Sequence, residues 1–300
     1  MDARVARIKS MGLKKSQRSG ALILILLSLS STAQEISAPI AAPEAHSTGE
    51  TPSPEGPEIA PPAPIAAPAY AQKLRDAGFT CSDDSLSYTC IGKLSPYPGK
   101  VALVFSKTAP KLTKGWTHLH GYRLGLNRDK SFQNLLDDFK FGSLLNQNGL
   151  NDTVMLIPES QGKNATHLSY FTGSAPYEKL YKAAGTALGE ATLGFETLSG
   201  HSGAFKPIGN ILRTEGARVK KVIFYDASYY SPDALDSVAK WTKTRDGSKF
   251  INMYRKNTAT GKGQSYLKGK LATTDRWSSI AVSEDSNHWD MVEKNFSKAL

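Results

Sequence analysis

Only two cysteines occur in the 300 residues, Cys81 and Cys90, so neither a cysteine-rich framework nor a multi-thiolate metal site fits the chain. They stand too far apart in sequence for a Cys-x-x-Cys redox pair. No apolar run approaches the roughly 20 residues that a membrane-spanning helix needs. The run Ala21–Leu29 has no arginine pair before it and no cysteine after it, which argues against twin-arginine export and against a lipoprotein anchor. Gly261-Lys-Gly-Gln264 lacks the spacing and the hydroxyl of a phosphate-binding loop, and is read as a mobile cap loop. The basic residues are scattered, without the interleaved aromatics of a nucleic-acid surface, so no nucleic-acid partner is expected.

What is present begins with a three-part leader. Arg4, Arg7, Lys9, Lys14, Lys15 and Arg18 precede Ala21–Leu29, and Ser31-Thr-Ala33 follows with the small residues a signal peptidase reads. Residues 1–33 are therefore expected to be a signal peptide, its product exported to a periplasm or beyond with no stable transmembrane anchor left after cleavage. Residues 34–70 are rich in Ala, Pro and Glu and hold no Lys or Arg, the composition of a disordered linker. The six bases of the leader balance Asp2 together with Glu35, Glu44, Glu50, Glu55 and Glu58, so the body from residue 71 carries the whole chain's net charge of +10. A basic exported body suits anionic envelope components, and equally a plain solvated surface.

From about residue 98 strand and helix signals alternate. Val101–Phe105, Trp116–His120, Thr153–Ile157, Phe195–Leu198, Val219–Tyr225, Phe250–Tyr254 and Trp277–Val282 read as strands. Phe132–Leu145, Tyr177–Leu188, Phe205–Arg213, Pro232–Lys243 and Trp289–Leu300 have helical periodicity. Such alternation implies βαβ crossovers, hence an α/β fold with a mainly parallel sheet flanked by helices on both faces. Ahead of it, Thr80-Cys81 and Tyr88-Thr-Cys90 flank a polar Ser-Asp-Asp-Ser turn, the pattern of a small N-terminal β-hairpin stapled by a Cys81–Cys90 disulfide. Sheets of this type hold ligands beyond the carboxyl ends of their strands, so chemistry is sought there.

Gly200-His-Ser202-Gly203-Ala204 lies between a predicted strand and a predicted helix. Small residues two positions either side of Ser202 permit the sharp turn that lifts a nucleophilic hydroxyl clear of the backbone, and the following helix directs amide donors at it. Over residues 98–300 the chain thus resembles the α/β-hydrolase family, with Ala204 standing where that motif carries its last glycine. The resemblance implies the chain order serine, acid, histidine, and His288 lies in Ser286-Asn-His-Trp-Asp290 after the last strand. It implies an oxyanion hole from the amide of Gly203 and from the His120-Gly121-Tyr122 turn, here the Tyr122 amide. The family's usual acid would follow Phe250–Tyr254, yet residues 255–264 contain no carboxylate. A known variation places it after the preceding strand, which makes Asp226 the candidate, with Glu284 or Asp285 in the histidine loop as the alternative.

The expected activity is an acyl-enzyme hydrolysis of an ester or amide by Ser202, His288 and Asp226, without a cofactor and without a metal, on a small-molecule or cell-envelope substrate. His120, His201 and Glu159 are candidates to line the substrate pocket. Two rivals stand: a non-catalytic envelope-binding module on the same scaffold, and a zinc amidase drawing on His118 and His120, which alternate on one strand, with His167, His201 or His288.

Overall fold

The computed structural model describes residues 69–109, 111–121, 132–160 and 170–300. The predicted leader, nearly all of the linker, Tyr122 and His167 lie outside these residues. A helix that sequence patterning did not signal, α1 (Ala69–Asp76), opens the described chain. β1 (Thr80–Asp83) and β2 (Ser87–Lys93) then form the expected hairpin. Its turn is tied by Asp84, whose carboxylate accepts from the amides of Leu86 and Ser87 at 2.7 and 2.6 Å. Cys81 and Cys90 pair directly across it and are joined by a disulfide. Closing so short a loop restricts the unfolded chain only modestly, so reduction is expected to cost about 2–3 kcal/mol, read as a lower urea midpoint with dithiothreitol than without.

The remaining strands are β3 (Lys100–Ser106), β4 (Lys114–Leu119), β5 (Thr153–Pro158), β6 (Gly194–His201), β7 (Lys221–Tyr225), β8 (Lys249–Arg255) and β9 (Trp277–Val282). One nine-stranded sheet runs in the order β1-β2-β3-β5-β4-β6-β7-β8-β9. It is antiparallel from β1 to β5 and parallel from β5 to β9. The period-2 alternation of apolar strands feeds two cores. Leu103, Leu156, Val222 and Phe224 point to one face, where α1, α4 (Pro176–Leu188), α5 (Phe205–Glu215), α6 (Pro232–Thr244) and α7 (Ala259–Leu271) cover them. Val104, Met155, Ile223 and Tyr225 point to the other, under α2 (Phe132–Phe139), α3 (Phe141–Gln147) and α8 (Met291–Asn295).

Three expectations are corrected. The single helix over 132–145 is broken at Lys140, which adopts φ 50° and reaches Glu293 with its ammonium at 2.9 Å. The closing helix over 289–300 shrinks to α8 between two 3₁₀ turns, and Phe296, at the junction of α8 and the second turn, stacks on Trp116 with centroids 4.9 Å apart. Gly261–Gln264 is no loop but part of α7. Its glycines, poor helix formers, hide the helix from sequence reading. Gly263 is there because a Cβ would stand 1.6 Å from the Ser228 carbonyl oxygen, so α7 packs backbone to backbone on the loop after β7.

Candidate active site

β6 runs unbroken into His201 and the chain then turns abruptly at Ser202, whose φ of 55° is left-handed backbone that a side chain resists. A 3₁₀ turn (Ser202–Ala204) leads straight into α5, so the serine stands at the N-terminal end of the helical stretch. Gly121, at the end of β4, presses onto this bend. A Cβ on it would lie 2.4 Å from the Ser202 Cβ, 2.6 Å from the His201 carbonyl oxygen and 2.8 Å from the Gly203 nitrogen. The His120–Gly121 turn therefore sits against the Gly203 amide. Gly121→Ala is expected to lower kcat on an aryl ester by about 10²–10³, the loss typical of a displaced oxyanion donor. A variant that keeps its turnover would show that this contact is dispensable.

Asp226 ends β7 as Ser202 ends β6. The preceding residues, Tyr225 and His201, are paired partners, so the two candidate positions stand side by side on adjacent strands. Asp226 also has a left-handed φ, 49°, and is fully buried. Its Oδ2 meets His288 Nδ1 at 2.6 Å and accepts from Arg255 Nε at 2.7 Å. Its Oδ1 accepts from the Arg255 amide at 3.3 Å and from the Thr260 hydroxyl. Burial by itself would raise the carboxyl's pKa. The hydrogen bonds from His288, Thr260 and Arg255 and the charge of His288 outweigh it and hold the pKa at about 2. An ionised carboxylate only accepts, so His288 donates to it from Nδ1.

Ser202 completes the set from the neighbouring strand end, but among the described residues no hydrogen bond joins it to His288. The Tyr229 phenol instead lies close enough to interact with the Ser202 hydroxyl. Burial and the charge of Asp226 raise the pKa of this phenol, while the Ser202 contact lowers it. Tyr229 packs on Phe205 with centroids 5.8 Å apart, so it forms one wall beside the serine.

The other candidates are placed elsewhere. His201 is buried behind the elbow, where its Nε2 donates to the His288 carbonyl at 2.8 Å. His120 Nε2 accepts from the Ser160 amide at 3.0 Å and its Nδ1 donates to the Gly121 carbonyl at 3.1 Å, which shapes the Gly121 turn from behind. Glu159 follows β5, two strands from β6, and its carboxylate accepts from the Lys100 amide at 3.2 Å. His118 Nδ1 bonds the Ser199 hydroxyl at 2.8 Å, and that same oxygen accepts from Trp116 Nε1 at 2.7 Å. Among the described residues no group of three His, Cys, Asp or Glu is placed to hold a metal ion.

Sequence reasoning missed Arg255, Thr260 and Tyr229. The signal for the first two was negative: the stretch that lacks any carboxylate supplies donors to a carboxylate from the strand before.

The buried histidines give the fold an acid limit. Desolvation, helped by the proximity of His288, depresses the His201 pKa to about 3 from an ordinary 6.5, and desolvation takes His118 well below it too. Folded, these rings bind fewer protons than unfolded, so stability is full above pH 6.5 and falls as the pH drops from there toward 3. His201 alone accounts for a loss on the order of 5 kcal/mol across that window. Asp226, depressed from 3.8 to about 2, adds a further loss only below pH 4. Denaturant midpoints measured between pH 8 and 4 are expected to decline below 6.5, and a flat profile would contradict this account of the two rings.

No protein-family model matches the chain, and no curated protein matches it. Solved structures do. An S-formylglutathione hydrolase from Agrobacterium tumefaciens superposes with a TM-score of 0.53 at 11% identity, over 73% of this chain and 95% of that one. A feruloyl esterase module from Clostridium thermocellum, complexed with sinapinate, superposes at 0.52 with 9% identity, over 74% and 92%. Likeness at such low identity establishes a shared fold.

Proposed function

Starting from the α/β-hydrolase fold that the chain shares with these structures, we propose that it is an exported serine hydrolase cleaving an ester or amide through an acyl-enzyme. The observation that carries this reading is the 2.6 Å His288–Asp226 bond beside the left-handed turn at Ser202. In the proposed reaction the Ser202 hydroxyl gives its proton to His288 Nε2 as Oγ attacks the substrate carbonyl. The resulting oxyanion is held by the Gly203 amide, and by the Tyr122 amide in the second position that the sequence resemblance implies. Collapse expels the alcohol or amine, which leaves with the proton from His288. Water then loses a proton to the same nitrogen, attacks the acyl carbon and releases the acid with Ser202 restored. Asp226 stays ionised throughout and offsets the charge of the imidazolium.

The Tyr229 contact favours a second reading, in which the scaffold keeps the elbow but binds an envelope component without turnover. Fluorophosphonate treatment of the folded protein, followed by mass spectrometry of the peptide containing Ser202, separates the two. A phosphonyl adduct on Ser202 is expected. Native protein that stays unmodified there supports the binding module and ends the catalytic reading. Export is tested by N-terminal sequencing of the protein recovered outside the cytoplasm, which should begin near Gln34.

A further inference from the structure

Building on the serine-hydrolase reading, we infer that His201 is a positioning residue, which ties the loop carrying the catalytic imidazole to the strand carrying the nucleophile. Its Nε2 donates to the His288 backbone carbonyl at 2.8 Å, across 87 residues of sequence. The ring is 1% exposed and enclosed by Phe139, Trp289 and His288, with centroids at 5.8, 5.7 and 4.4 Å.

The loop needs such a tether. After β9 ends at Val282, His288 is followed by a helix of only five residues. The bonds around it are largely its own: Ser286 amide to Ser283 carbonyl, Trp289 amide to Asn287 side chain, Asp290 amide to Asn287 carbonyl. Among the described residues, hydrogen bonds from outside come from Asn257 to Glu284, from Asp226 to the His288 ring, and from His201 to the His288 backbone. Of these, only the His201 bond holds the backbone of the catalytic residue, and it starts from the residue adjacent to Ser202. One strand end thus aims the hydroxyl and anchors its base.

The ring suits the task because it stays neutral. A charged ring 4.4 Å from His288 would oppose the imidazolium formed during proton transfer, whereas burial and His288 itself keep the His201 pKa near 3.

The test compares His201→Gln, which keeps an N–H donor near the same point, with His201→Phe, which keeps a ring and loses the donor. His201→Met replaces the latter if it does not fold. Two readouts are taken: kcat and KM on p-nitrophenyl acetate, and the downfield proton resonance of the His288–Asp226 hydrogen bond. His201→Phe is expected to lose about 10–100-fold in kcat with KM within about threefold, because displacements of an ångström cost this much. Its downfield resonance should broaden or vanish, and His201→Gln should keep both near wild type. A folded His201→Phe with wild-type kcat and resonance overturns the assignment. Equal damage in both variants also overturns it, since the donor would then be irrelevant. Wild-type protein without turnover defeats the hydrolase reading instead, and the resonance still decides whether His201 holds the loop.

Discussion

Ser202→Ala is expected to lower kcat toward an activated ester by about 10⁴–10⁶, with the fold and KM little changed. In the proposed reaction this hydroxyl forms the acyl bond, and alanine fills the same buried corner without it. What turnover remains should come from the Gly203 amide and from binding, which polarise a carbonyl for attack by water. Burst kinetics sharpen the result: the wild type should release one equivalent of leaving group in a fast phase that the variant lacks. A variant within tenfold of wild type would show that hydrolysis proceeds elsewhere on the surface.

Asp226→Asn should cost about 10³–10⁴ in kcat. The carboxylate accepts two donors on each oxygen, and an amide can accept on only one. If the new NH₂ replaces Oδ2, it faces His288 Nδ1 and Arg255, forces the imidazole into the tautomer with Nε2 protonated, and removes the base. If it replaces Oδ1, the Thr260 hydroxyl can turn to accept and the tautomer survives, but nothing offsets the imidazolium while the Arg255 cation stays beside it. Either orientation loses transition-state stabilisation, and removing one partner of a buried ion pair should lower stability by about 3 kcal/mol as well. A loss under tenfold in kcat would shift the acid to the histidine loop. There Glu284 already accepts from Asn257, and Asp285 is exposed.

Much of this fold was legible because strand period and helix period differ, and because α/β sheets gather chemistry at one edge. The runs around Val222 and Trp277 gave strands, and Ser202, Asp226 and His288 each follow one. Legibility failed where a contact spans the sheet. Nothing near Thr260 in sequence says that its hydroxyl meets a carboxylate 34 positions earlier. The break at Lys140 interrupts a continuous helical period through its own backbone turn and a reach to Glu293, neither visible locally. His201 reads as a pocket residue by adjacency to Ser202, yet strand alternation turns it toward Phe139 and the inner core.

The left-handed torsion at Ser202 also sets a limit on engineering this chain for heat resistance. Glycine relaxes a torsion that costs a residue with a side chain on the order of 1–3 kcal/mol. Repeated rounds of mutation and heating, scored only by survival of the soluble protein, would reward Ser202→Gly and discard the proposed nucleophile. Any campaign to toughen this protein therefore has to screen for turnover in every round.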